Sequence, residues 1–361
     1  MRIGIVGAGQ LGRMMALSGI PLGLDFTMYD RSADVPGAAV AAIVTGSFND
    51  HRKLARFARG VDVVTFDWEN IPVDSVRAIA QITPVWPPPR ALEVAQDRLA
   101  EKKLFLRLGM SVAPFAAVDA HGDLSRAITT IGTPGILKTR RLGYDGKGQA
   151  LVRRAADAEE AWVRFRGRPL LYERLVNFSR EVSLIAVRDR AGAIRSYPLA
   201  ENVHAGGILA ETRAPHRDPR LQREAERNHG RLFQALRYVG VLCVEYFVER
   251  GRLIANEMAP RVHNSGHWTI EGAETSQFEN HVRAIAGLPL GSARPRGYTV
   301  MVNLIGRKPS VRNLLRVPGV HWHDYGKASR PGRKLGHVTS VTANRRARDR
   351  AALQLRRALT P

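Results

Sequence analysis

At 361 residues, 44% of them hydrophobic, the chain exceeds the size of one core and predicts two or three globular domains. Its formal net charge of +22 would attract polyanions, but the arginines are scattered along the chain, so no nucleic-acid partner is expected. No apolar run approaches the roughly 18 residues of a membrane span, and Met1-Arg2 leads directly into a strand rather than a signal peptide. A cytoplasmic protein with no membrane partner is therefore expected. The single cysteine, Cys243, has no internal partner and reads as a small core residue.

Residues 2–6 form a short apolar strand that runs into Gly7-Ala-Gly9-Gln-Leu-Gly12, with a helix expected over residues 13–18. A second strand at 25–29 ends at Asp30, where a dinucleotide fold places its ribose-binding acid. The turn guarantees only close backbone approach and a helix N-terminus suited to an anion, so a nicotinamide enzyme stays open at this point. Strands at 42–45 and 61–66, with a helix near 50–59 between them, complete a βαβ pattern over residues 1–85. Asp67-Trp68-Glu69-Asn70 follows at the carboxyl end of a parallel strand, where open sheets place ligands. The alternative is that Glu69 and Asn70 cap a helix beginning near Pro72.

The proline-rich segment 84–89 reads as a stiff connector near a domain boundary, followed by one charged helix over residues 91–108. Beyond it, strands at 135–139 and 149–152 flank the glycine loop 143–148, which makes that loop a hairpin tip and not a P-loop. Such a tip, with Lys147, can fold over phosphates, and Lys138 in the preceding strand could reach an α- or β-phosphate. Glu173 and Glu181, eight residues apart across an expected turn, are suited to the amino and ribose hydroxyl protons of a nucleoside.

A helix over 219–240 precedes a hairpin of strands 241–248 and 253–257. With a three-residue loop at 250–252, Glu245 stands opposite Glu257 and both carboxylates share a face, whereas a two-residue loop would split them. Two facing carboxylates call for a cation, and hard oxygen ligands select Mg²⁺. The hairpin ends in Asn256-Glu-Met-Ala-Pro-Arg-Val-His-Asn-Ser-Gly-His-Trp268, which gathers Glu257, Arg261, His263, Asn264 and His267 into one loop. Five such side chains in thirteen residues read as a site. The basic run 345–357 reads as an exposed helical face.

These motifs resemble the ATP-grasp ligases and, within them, the N5-carboxyaminoimidazole ribonucleotide synthases of purine biosynthesis. The resemblance runs through Gly9-Gln-Leu-Gly-Arg-Met14, Gln96-Asp-Arg98, the long motif 137–149, the motif 256–269, Ser276-Gln-Phe-Glu-Asn-His281 and Arg330-Pro-Gly-Arg-Lys-Leu-Gly-His337. It implies an α/β and α+β chain with an ATP-grasp fold: a Rossmann-like domain over 1–110, a lid domain over 111–182, and a C-terminal domain over 183–361 with a β-rich end from about 295.

It further implies that ATP is held by Arg98, Lys138, Gly143, Tyr144, Asp145, Gly146, Lys147, Gly148, Gln149, Glu173, Arg174, Leu175, Val176, Glu181, His204, Asn256 and Glu257. Mg²⁺ would sit on Glu245 and Glu257. Arg261, His263 and Asn264 would carry the chemistry through carboxyphosphate, with Gln10, Glu69, Arg330 and Lys334 holding the ribonucleotide. His267 is left to support the loop, and a homodimer is expected from the family alone. Trp68 stands between two acids where the family carries an aromatic. Against this stand a sister enzyme, formate-dependent glycinamide ribonucleotide transformylase, then a dehydrogenase and a nucleic-acid-binding protein.

Overall fold

The computed structural model describes residues 1–143 and 148–359. The first four strands form a parallel sheet in the order Ala42–Thr45, Asp25–Asp30, Arg2–Val6, Val63–Phe66. Ile3, Ile5 and Val63 are fully buried in it, as expected for short apolar strands covered on both faces. The first helix spans Gln10–Gly19, starting three residues earlier than expected.

What the glycine turn approaches is a side chain of the same protein. Asp67 Oδ2 accepts from the Gly9 and Gly12 amides at 2.6 and 3.3 Å, in the place where a dinucleotide fold seats pyrophosphate. Gly7 has φ of 93°, and a Cβ there would stand 1.8 Å from Asp67 Oδ1. Burial pushes the Asp67 carboxyl up to about 6, against the pull of the two amides. Asp30, expected at a ribose, accepts instead from the Ala8 amide at 2.8 Å. Asp30 and Asp67 are thus both bonded to amides of the glycine turn.

The connector at 84–89 is attached to this sheet: Val85 bridges Val64 in parallel. The single helix expected over 91–108 is in fact two, Pro89–Ala95 and Arg98–Arg107. Asp97 separates them as an N-cap, its carboxylate accepting from the Leu99 and Ala100 amides at 2.9 and 3.3 Å.

A second sheet is antiparallel, in the order Phe115–Val118, Leu170–Arg174, Gly135–Thr139, Gln149–Val152. The last two strands make the expected hairpin; Tyr144, Asp145, Gly146 and Lys147 at its tip lie outside the described residues. The third sheet has nine strands, running from Arg252–Ala259 and Gly240–Glu249 through Arg180–Arg188, Ala200–Ala205 and Ile208–Ala214 to Tyr298–Ile305, Lys334–Thr342 and Val320–Asp324, with Ile194–Ser196 beside Arg180–Arg188. The strands beyond residue 295 therefore continue this sheet. The arginine-rich end is the helix Arg345–Leu359, whose Ala351, Ala352 and Leu355 pack on Val300, Leu304 and Val338 while Arg356 pairs with Glu211 at 3.0 Å. Among the described residues, no helix is long and apolar enough to cross a membrane.

Gly7→Ala is expected to destabilise the protein by about 2–4 kcal/mol, since it combines a positive φ with a collision against a fixed carboxylate. Gly23→Ala, at φ of 74° with nothing within 4 Å, should cost only about 1 kcal/mol. Denaturant unfolding of the two variants measures the difference.

Candidate active site

Two cavities lie at the seam of the three sheets. One, of about 760 Å³, reaches from Gln10, Trp68 and Glu69 to the turn at Arg330–Lys334. The other, of about 290 Å³, is walled by Ile136, Lys138, Glu173, Val176, Glu181 and His204. Arg98, Glu245, Glu257, His263, Asn264 and Lys334 line both. Residues expected at the nucleotide and at the ribonucleotide thus face each other across one shared wall.

The central carboxylates reach this wall by a route the sequence does not reveal. The hairpin turn is two residues, Arg250-Gly251, at φ of 50° and 72°, with Glu249 opposite Arg252. This corrects the three-residue loop, and a two-residue turn alone would place Glu245 opposite Asn256. The register shifts between Glu245 and Tyr246, where Tyr246 pairs with Ala255 and Glu245 with Glu257. Asn256 is the extra residue of a β-bulge, and it restores the pairing of the two acids. The expected face is correct, but the bulge produces it and the loop does not.

Burial pushes Glu245 up to about 7, and the neighbouring Glu257 carboxylate adds to the shift. Glu257 Oε2 accepts from Arg98 at 3.0 Å, and His263 Nε2 lies 3.7 Å from Glu245 Oε1. Among the described residues no group of three or more His, Cys, Asp or Glu is arranged to hold a metal ion. Two hard carboxylates fit a divalent cation whose other ligands are phosphate oxygens and water.

At the nucleotide end, Glu173 is shared between Lys138 and Lys102, each ammonium 2.6 Å from one of its oxygens. Burial opposes its charge, yet the two lysines hold the carboxyl down at about 2. Glu173 and Glu181 are not neighbours across a hairpin turn; they sit in different sheets. Glu181 Oε2 lies 2.7 Å from His204 Nδ1, and although burial disfavours a charged His204, the carboxylates raise it above its ordinary value. Arg174 forks onto Glu249 at 2.9 and 2.7 Å, so Leu175 and Val176 supply the wall beside it. Phe178, stacked on Phe247 at 4.7 Å, extends that wall and was not singled out from sequence.

At the other end Arg261 is ion-paired with Glu69, whose carboxyl this partner holds below its usual range despite burial. The helix near Pro72 has no side-chain cap, so Glu69 and Asn70 are not capping residues. Lys327 donates to the Gln10 side chain, and burial, with Arg333 and Lys334 nearby, pushes its ammonium down to about 8. Lys327 and Arg333 join Arg330 and Lys334 in this wall; their place in the same basic glycine-proline turn was the signal that the motif reading passed over.

The loop itself is held from beneath. The Gln277 amide accepts from the His263 N–H at 3.0 Å and donates to its carbonyl at 2.6 Å, and approaches His267 Nδ1 at 3.4 Å. Asn264 exchanges two hydrogen bonds with Asn303, at 3.0 and 2.7 Å. Burial, with Arg261 close by, keeps His263 well below its ordinary value and hence neutral. His267 is buried against Phe278 and His337, consistent with support of the loop.

Three family models cover the chain: a ribonucleotide synthetase preATP-grasp domain over residues 1–96, an ATP-grasp domain over 103–278, and a phosphoribosylaminoimidazole carboxylase C-terminal domain over 299–351. The N5-carboxyaminoimidazole ribonucleotide synthase of Pseudomonas aeruginosa is 48% identical over 356 residues, 99% of this chain and 97% of that protein. The chain belongs to the N5-carboxyaminoimidazole ribonucleotide synthase family. The crystal structure of the family member from Thermus thermophilus superposes with a TM-score of 0.96 at 51% identity, covering 99% of each chain. That from Aspergillus clavatus, in complex with ADP and 5-aminoimidazole ribonucleotide, superposes at 0.93 with 28% identity, covering 99% of this chain and 98% of that one. Membership in this family sets aside the transformylase, dehydrogenase and nucleic-acid readings.

Because the folded-state pKa of Glu245 is raised, its favourable contribution is complete below the ordinary carboxylate pKa and is lost as pH climbs through about 7. Glu245→Gln should therefore stabilise the metal-free protein by about 1–3 kcal/mol at pH 8 and change little near pH 4.5. Thermal unfolding with chelator at the two pH values tests the sign.

Proposed function

We infer that the protein catalyses the ATP-dependent carboxylation of 5-aminoimidazole ribonucleotide to N5-carboxyaminoimidazole ribonucleotide in purine biosynthesis. The observation that carries the reading is the shared wall: one end of the site fits a nucleotide, the other a phosphorylated ribonucleotide, and Glu245, Glu257, His263 and Asn264 stand where they meet.

In the mechanism we favour, a bicarbonate oxygen attacks the γ-phosphorus of ATP, the bond to the β-phosphate bridging oxygen breaks, and ADP leaves. The product is carboxyphosphate. The amine of the ribonucleotide then attacks its carbonyl carbon, the carbon–oxygen bond to phosphate breaks, and the amine loses a proton. Lys138 and Arg98 would hold the transferring phosphates. Mg²⁺ on Glu245 and Glu257 would neutralise charge on the phosphates. Arg261 is suited to the carboxyphosphate oxygens, and Glu69 fixes its guanidinium in place. His263, neutral and anchored through its backbone, would with Asn264 position the reacting groups. Lys327, Arg330, Arg333 and Lys334 form a basic cradle for the ribonucleotide phosphate, and Gln10 sits at its edge.

We further propose divisions near residues 110 and 182 into pre-ATP-grasp, lid and C-terminal domains, and a cytoplasmic homodimer, the last on family grounds alone. Phosphate release from ATP with Mg²⁺ and bicarbonate should be stimulated by 5-aminoimidazole ribonucleotide and not by formate with glycinamide ribonucleotide; the reverse pattern would sink the reading. Glu257→Gln should lower turnover by about 10²-fold or more while leaving circular dichroism and the unfolding transition intact.

A further inference from the structure

Lys102 has no task in this mechanism, although it is one of the most deeply buried cations in the protein, 2% exposed. It projects from the helix Arg98–Arg107, on the face that also carries Arg98 and Glu101 by their i, i+3, i+4 spacing. That face grips the bulged strand at three points. Arg98 bonds the Glu257 carboxylate at 3.0 Å, Glu101 accepts from the Met258 amide at 2.7 Å, and Lys102 Nζ donates to the Ala255 carbonyl at 3.2 Å. The same Nζ lies 2.6 Å from Glu173 Oε1, and Glu173 Oε2 lies 2.6 Å from Lys138 Nζ. Glu173 belongs to the four-stranded antiparallel sheet and Ala255 to the nine-stranded sheet. One ammonium thus fastens the two walls of the nucleotide cavity to each other.

The charges show what this fastening does. Two ammoniums around one carboxylate leave a net positive charge, and Lys138, which lines the cavity, has only half of Glu173 to itself. Without Lys102 the carboxylate would close on Lys138 alone, cancel its charge, and leave one buried oxygen without its donor. We propose that Lys102 is a positioning residue for ATP: by holding Glu173 between the two sheets it keeps Lys138 aimed at the nucleotide phosphates. This rests on Lys138 being a phosphate ligand, as in the function proposed above.

The test is a cycle of Lys102→Met, Glu173→Gln and the double variant. Lys102→Met should raise KM for ATP about tenfold or more, with KM for the ribonucleotide unchanged and kcat within about threefold. In the Glu173→Gln background, where no carboxylate is left to close on Lys138, the same substitution should change KM for ATP by less than about twofold. A role confined to stability would lower the folded fraction and leave KM for ATP in place, and that result overturns the proposal, as does an effect that is additive with Glu173→Gln. The double variant strands no carboxylate oxygen, so a change in its KM for ATP relative to Glu173→Gln still overturns the proposal even if Lys102→Met does not fold. Calorimetric titration of the same variants with ADP reads the inference apart from turnover: wild-type ADP binding without ribonucleotide-stimulated turnover would count against the function alone, whereas equal ADP affinity in wild type and Lys102→Met would count against the role of Lys102.

Discussion

The structure depends on pairing opposite charges where three sheets meet. Arg98 faces Glu257, Arg261 faces Glu69, and Glu173 is divided between Lys102 and Lys138. Each pair joins elements far apart in sequence, and around the deeply buried Glu173 stranding a partner would leave an uncompensated charge. These contacts therefore do two things at once. They fix how the sheets meet, and they hold Arg98, Arg261 and Lys138 in place at the walls of the two cavities. Glu245 stands outside this pairing, facing another carboxylate, and that facing pair is where a divalent cation fits.

The N-terminal unit shows how little a glycine fingerprint says about its ligand. Gly7, Gly9 and Gly12 do provide close approach and free amides, as the motif requires, but Asp67 from the neighbouring strand takes those amides. With its phosphate seat filled from within, the turn displays the Gln10 side chain at the rim of the large cavity. The glycine pattern that can grip a dinucleotide here borders the large cavity instead.

The bulge at Asn256 is the second local decision with a long reach. A regular two-residue hairpin would have turned Glu257 away from Glu245, because side chains alternate faces with a period of two. One extra residue restores the pairing, and the grip of Arg98, Glu101 and Lys102 on the residues around the bulge holds that register.

Much of this protein is determined by sequence alone. Apolar runs, glycine turns and the long motifs at 137–149 and 256–269 specify the strands, the hairpin and the loop, and hence the family and the kind of chemistry, because those signals are local. Single boundaries failed where a polar residue intervened, as at Asp97, whose carboxylate caps a second helix within one charged run. The partners of the site residues were not legible. That Glu173 is shared with Lys102, that Gln277 clamps His263, that Lys327 and Arg333 complete the basic wall, and that Glu245 meets Glu257 through a bulge all depend on contacts across sheets. Such contacts are set by packing and by the need to neutralise buried charge, and neither leaves a periodic trace along the chain.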